Sequence, residues 1–267
     1  MPFATVHGSR LHYVEAGSGD PPLVLVHAFP FPAAMWQGQI DALSDRWRVV
    51  APDLPGFGAS EPFADPLAAS IESLARPVAG LIEHLGLGPV VLGGLSMGGY
   101  VAFSLLRNHR ALVRALVLAD TRAAADTAEV RDRRTRQQEQ VRRGDVDGLI
   151  ETMLGTLLAE DTREHQPDVV EHVRRLMHET TPSGFLAALE AMKGRPDATD
   201  ELPGIDIPTL VLVGDQDQPA PPDVAQDMRD RLPDARLAII PRAGHLANLD
   251  APDVFNDELR RFLETVP

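Results

Sequence analysis

The sequence predicts an α/β protein built on a mostly parallel sheet of eight strands flanked by helices, with one helical insertion. Three observations carry this reading. Short aliphatic runs alternate with stretches of helical spacing through the first 120 residues and again after residue 200, the pattern of a parallel sheet crossed over by helices. The runs LVLV (Leu23 to Val26), VVL (Val90 to Leu92) and LVLV (Leu210 to Val213) are almost wholly apolar, as strands covered on both faces must be. Between residues 122 and 200 the strand signals vanish and only amphipathic helical stretches remain.

The elements follow in order. Phe3–Val6 and Leu11–Gly17 read as a hairpin about His7, Gly8 and Ser9. LVLV and RVV (Arg48 to Val50) are the next two strands, separated by helical spacing from Pro32 to Leu43. A second helix runs from Ser70, a suitable N-cap, to Leu85 before Gly86. Then come the strand PVVLGG, a helix from Met97 to Asn108 and the strand VRALVLAD ending at Asp120. The insertion contains three or four helical stretches, opening with AEVRDRRTRQQEQVRRGD and closing with PSGFLAALEAMKG. The strands PTLVLVG and ARLAII and a helix from about Pro252 complete the chain. Residues 1–121 and 201–267 are expected to form one core, and 122–200 an inserted helical unit.

Composition narrows the function. Twenty-five basic against thirty-nine acidic residues give a net charge of −14, which repels phosphate backbones and anionic lipid, so neither a nucleic acid nor a membrane partner is expected. No apolar run reaches the roughly 18 residues that span a bilayer and no secretory leader is evident, so a cytoplasmic location is the default expectation. The chain has no cysteine, which removes thiolate nucleophiles and thiolate metal sites. No H-E-x-x-H, acidic calcium loop or dinucleotide fingerprint occurs, so no metal, nucleotide or other cofactor is expected.

One stretch carries chemistry. In LGGLSMGGYVAF (Leu92 to Phe103) a single serine, Ser96, stands between two glycine pairs, where a strand runs into a helix. This is G-x-S-x-G, the turn that projects a serine hydroxyl toward the amides heading the next helix. A hydroxyl attacks only when a base takes its proton and an acid orients that base. His245, in the loop IIPRAGHLANLD, is the candidate base. Asp217, Asp215 and Asp120 are candidate acids, all at the ends of predicted strands. The order Ser, Asp, His, each beyond a strand's C-terminal end, lifts the set above the ordinary reading of turn aspartates and loop histidines as structural.

Together with HAFP (His27 to Pro30), APDLPGFGAS, VGDQD and AGHLANLDAP, these motifs resemble the α/β-hydrolase fold superfamily over nearly the whole chain. The chain looks most like small bacterial carboxylesterases and 3-oxoadipate enol-lactonases with a helical cap. The resemblance implies Ser96 as nucleophile, His245 as general base and acid, and Asp217 as orienting acid, the carboxylate three residues after Gly214. It also implies an oxyanion hole made by the amides of Phe29 and Met97, and residues 122–200 as the cap. Two departures stand out. Ala28 replaces the glycine usual after the first histidine, and serine in place of aspartate at the elbow argues against the haloalkane dehalogenase branch.

The expected activity is hydrolysis of small to medium, mostly uncharged carboxylic esters through an acyl-enzyme, with a small-molecule ester or lactone as substrate and with monomer and homodimer both open. Lactone opening and carbon–carbon bond hydrolysis use the same three residues and stand as alternatives, with a non-catalytic receptor as the reading from another class. Pocket candidates are Trp36, Met153, Leu157, Leu176, Phe185 and Leu246. Trp36 also fits a core position with Ile40 and Leu43. His27 reads as a structural residue, and Arg131, Arg133, Arg134 and Arg136 as a solvated helix face rather than a carboxylate site.

Overall fold

The computed structural model describes residues 2–267. Its centre is an eight-stranded sheet, β1 (Phe3–Val6), β2 (Ser9–Ala16), β3 (Leu23–Val26), β4 (Val49–Pro52), β5 (Val90–Leu95), β6 (Val113–Ala119), β7 (Thr209–Gly214) and β8 (Ala235–Ile240). Their spatial order is β1-β2-β4-β3-β5-β6-β7-β8. The β1–β2 and β2–β4 pairs are antiparallel and every later pair is parallel. The expected hairpin is present with Val6 opposite Ser9. Strands β3, β4, β5 and β7 are buried along their whole length, which explains their unbroken apolar sequence.

Helices α1 (Gln37–Leu43), α2 (Ile71–His84) and α3 (Met97–His109) connect the first strands, and α9 (Pro222–Arg231), α10 (Ala247–Asp250) and α11 (Pro252–Leu263) accompany the last. Ser70 caps α2 in a reciprocal capping box with Ser73. Between β6 and β7 lie five helices: α4 (Ala128–Arg142), α5 (Val146–Leu157), α6 (Glu160–His165), α7 (Pro167–His178) and α8 (Pro182–Lys193). That exceeds the three or four stretches expected. The additional α6 has six residues and only Thr162 buried, too short and too polar to show helical periodicity.

The two crossings between this helical segment and the sheet are stitched together. Ala198 N donates to Ala123 O at 3.0 Å, and Ala125 N to Asp197 Oδ2 at 3.0 Å. Asp126, buried at this joint, pairs with both Arg134 and Arg195. The Arg195 guanidinium also lies 4.1 Å from the ring centre of Tyr100, on α3.

Trp36 belongs to the core. It is 1% exposed and its ring lies 6.1 Å from that of Phe255 on α11.

Candidate active site

The site forms where β5, β6, β7 and β8 end. Strand β5 delivers Ser96 into a backbone conformation of φ 53°, ψ −111°, left-handed and strained for any residue with a side chain. The turn is tight enough to exclude neighbouring side chains. A methyl group at Gly94 would overlap the backbone of Gly98, and one at Gly98 would overlap the carbonyl of Val26 at the end of β3. Gly94 and Gly98 are therefore there to admit backbone, whereas Gly93 and Gly99 make room for the side chains of Leu25 and Thr121. The Thr121 hydroxyl, just beyond β6, donates to Ser96 O at 2.8 Å and ties down the turn. The Ser96 residue itself keeps partial exposure.

His245 and Asp217 converge on this serine. His245 Nε2 lies 2.8 Å from Ser96 Oγ, and Nδ1 lies 2.9 Å from both carboxyl oxygens of Asp217. A carboxylate only accepts, so Nδ1 carries the proton and Nε2 is free to accept from the serine hydroxyl. Both partners are nearly buried, His245 at 5% exposure and Asp217 at 3%, where electrostatic contacts are strengthened by exclusion of water. Asp217 is itself oriented by Ala220 N, which donates to Oδ1 at 2.8 Å.

The competing acids are placed elsewhere. Asp215 is exposed and accepts from Ala243 N at 3.2 Å. Asp120 is fully buried with φ 46°, and its two oxygens accept from Gly214 N at 2.9 Å and Ala247 N at 3.2 Å. Burial, and then the nearby Asp217, push its carboxyl well above the usual carboxylate range. Through these two amides it joins the loops that bear Asp217 and His245.

The loop after β3 carries Phe29. His27 Nδ1 donates to Ala28 O at 3.0 Å, while Nε2 accepts from Leu54 N at 2.9 Å, so the neutral ring ties this loop to the one following β4. Burial lowers its pKa to about 4, partly opposed by the Ala28 hydrogen bond and by Asp53. The departure at Ala28 carries no strain, because its backbone stays outside the left-handed region. Asp53 is a second anchor of this neighbourhood, accepting from His12 Nδ1 at 2.7 Å, Ala33 N at 2.6 Å and Ala59 N at 3.0 Å. Met97 is the first residue of α3, and the first amides of a helix have no intrahelical carbonyl to bond.

The remaining pocket candidates, Met153, Leu157, Leu176, Phe185 and Leu246, are all buried. The Phe185 ring meets Phe29 edge-on at 5.4 Å. Leu246 N donates to Leu157 O at 3.2 Å. Thr180 Oγ1 reaches across to Pro30 O at 2.7 Å. The α4 arginines stay away from this region: Arg131, Arg133 and Arg136 are exposed and Arg134 is held by Asp126. Sequence reasoning missed Asp250, whose carboxylate accepts from both Gly244 N (2.7 Å) and Ala159 N (3.1 Å). Nothing in HLANLD distinguishes it from a turn residue.

An elbow serine, an aspartate and a histidine beyond the ends of the parallel strands β5, β7 and β8 fit a hydrolase, and the chain belongs to the α/β hydrolase fold family, whose model matches residues 21–252. A thermophilic esterase from Thermogutta terrifontis is 40% identical, with a TM-score of 0.94 over 99% of this chain and 98% of that one. The enol-lactonase from Burkholderia xenovorans LB400 is 29% identical, with a TM-score of 0.90 over 98% of this chain and 100% of that one. The pimeloyl-[acyl-carrier protein] methyl ester esterase of Aeromonas hydrophila is 30% identical over 94% of this chain and 98% of its own. No helix among the described residues is long and apolar enough to cross a membrane.

Proposed function

We propose that this hydrolase is a serine carboxylesterase acting on esters of small to medium acyl chains through an acyl-enzyme. The observation that carries the reading is the continuous relay Asp217–His245–Ser96, with contacts of 2.9 and 2.8 Å. Ser96 Oγ attacks the ester carbonyl as His245 Nε2 takes its proton, and Asp217 stabilises the resulting imidazolium. The amides of Phe29 and Met97 hold the oxyanion. His245 then protonates the departing alcohol. The same imidazole activates a water that releases the acid and regenerates the serine.

In this reading residues 122–200 are a cap over the strand ends, and Met153, Leu157, Leu176, Phe185 and Leu246 form an apolar wall that selects the acyl group. The arginines of α4 are exposed or paired, which favours uncharged acyl chains. The similarity to the Thermogutta and Aeromonas esterases supports ester cleavage. Lactone opening is the second reading, favoured by the likeness to the Burkholderia enol-lactonase, and it needs no change in machinery. Steady-state hydrolysis of p-nitrophenyl esters from acetate to decanoate, beside Ser96→Ala, tests the proposal. Turnover confined to the unmodified protein with an optimum at short or medium chains is expected. Equal rates in both proteins would refute it, and rates seen only with lactones would move the assignment to the second reading.

A further inference from the structure

Among the buried carboxylates that the catalytic reading leaves unused, Asp250 stands at a junction. Asp250 ends the short helix α10 and folds back on the loop that bears His245. A single oxygen, Oδ2, accepts from Gly244 N at 2.7 Å and from Ala159 N at 3.1 Å. Gly244 immediately precedes His245, whereas Ala159 lies between α5 and α6 in the helical segment. On the other side of the histidine, Leu246 N donates to Leu157 O at 3.2 Å. Both residues flanking His245 are thus bonded, directly or through one carboxylate oxygen, to residues 157–159. The approach is close: a Cβ on Gly244 would lie 2.7 Å from Ala159 N. Glu160 N also donates to Gln216 Oε1 at 3.2 Å, one residue before Asp217.

We infer that Asp250 is a positioning residue that couples the seating of residues 157–160 to the reach of His245 toward Ser96. The inference rests on the proposed role of His245 as base. Each of these contacts fixes backbone beside the imidazole, and the 2.8 Å contact between Nε2 and Oγ depends on that backbone. A displacement of about 1 Å at such a contact lowers turnover by about 100-fold. When residues 157–160 lift, Leu246 N loses the Leu157 carbonyl and Asp250 Oδ2 loses Ala159 N, so the carboxylate that holds Gly244 is no longer anchored to the helical segment and the histidine loop is loosened.

The remaining groups fit the same account. Asp250 Oδ1 and Thr162 Oγ1 are buried without a hydrogen bond of regular geometry, although the hydroxyl lies near enough to favour the charged carboxylate against the opposing effect of burial. An asparagine at 250 would keep the shared acceptor oxygen and turn its amide toward that hydroxyl, whereas an alanine would remove the junction. On the other side, Ala159 has φ −58° and follows an extended Leu158 at ψ 148°. Proline adopts the first and tolerates the second. Ala159→Pro therefore deletes the donor from the helical segment without straining φ or ψ, and its Cδ displaces Asp250 Oδ2 from the position it holds 3.1 Å from that nitrogen.

The test measures kcat and KM on a p-nitrophenyl ester, and the rate of Ser96 labelling by a fluorophosphonate, for Asp250→Ala, Asp250→Asn, Ala159→Pro and the double variant Asp250→Ala/Ala159→Pro. Circular dichroism checks folding. The expected result is a kcat lower by about 10- to 100-fold in Asp250→Ala with KM within about twofold, and labelling slowed in step. Asparagine should restore kcat to within about threefold, Ala159→Pro should reproduce part of the loss, and the double variant should be no worse than Asp250→Ala. Unchanged kcat in Asp250→Ala, an asparagine as damaging as alanine, or additive losses in the double variant would overturn the inference. If Asp250→Ala does not fold, Ala159→Pro with unchanged kcat overturns it alone. Ser96→Ala and His245→Ala run alongside: activity surviving in these would defeat the underlying catalytic reading instead.

Discussion

At the scale of single residues, Ser96 and its histidine make the sharpest predictions. Ser96→Ala is expected to remove nearly all ester turnover while leaving the melting temperature within a few degrees, since only one partly exposed oxygen is lost. Asp217→Asn should keep the geometry and lower kcat by about 10³- to 10⁴-fold, because an amide can favour the wrong imidazole tautomer. His27 makes a different prediction, on stability. Its folded pKa of about 4 lies below the unfolded 6.5, so between those values the unfolded chain binds a proton that the native chain refuses. Stability must then rise with pH through that window and fall as acid is added, by about 3 kcal/mol for one fully buried imidazole. Asp120 and Asp250, with raised carboxyl pKa values, act with the opposite sign above pH 4. The His27 contribution is therefore the difference between the pH-stability curves of the native protein and His27→Gln, measured by urea unfolding.

At the scale of elements, the contacts between β3, β5 and α3 depend on side chains that are not there. Gly94→Ala or Gly98→Ala should destabilise by about 3 kcal/mol or more, since the added methyl meets backbone that no rotamer change can move. Thermal unfolding of either variant checks this. The joint at the base of the helical segment is a second such place. Asp126→Ala strands the 3%-exposed side chain of Arg195 without its carboxylate, and breaking a buried pair from one side typically costs about 3–5 kcal/mol. Faster proteolytic cleavage within residues 122–200 than elsewhere is the expected signature. Elements were legible in the sequence in proportion to their burial. The β-strands and α2 were found because their apolar positions repeat at the period of the element, while α6, with one buried residue, had no period to read.

At the scale of the whole molecule, charge is the dominant property. A chain carrying −14 repels anionic substrates over distances of about a Debye length, roughly 8–10 Å at physiological salt. For a neutral ester, kcat/KM should be nearly independent of ionic strength between 10 and 300 mM salt. For an ester bearing a free carboxylate it should rise with salt as the repulsion is screened. The opposite trend would reveal a local cationic site that the exposed arginines of α4 do not supply.

The sequence by itself determined the α/β class, the order of strands and helices, the helical segment between β6 and β7, and Ser96 at a strand-to-helix turn. These are properties of short stretches: periodicity, capping and the crowding that glycine relieves all act within about ten residues. The family resemblance pointed to Asp217 through its place three residues after Gly214, but strand ends alone left Asp120, Asp215 and Asp217 open, and the tertiary structure decided which of them meets His245, because they differ in which loop they face across the sheet. The tertiary structure also decided that Trp36 belongs to the core, and that Asp250 joins Gly244 to Ala159. Those outcomes depend on contacts between residues brought together from distant parts of the chain, and no local pattern encodes them.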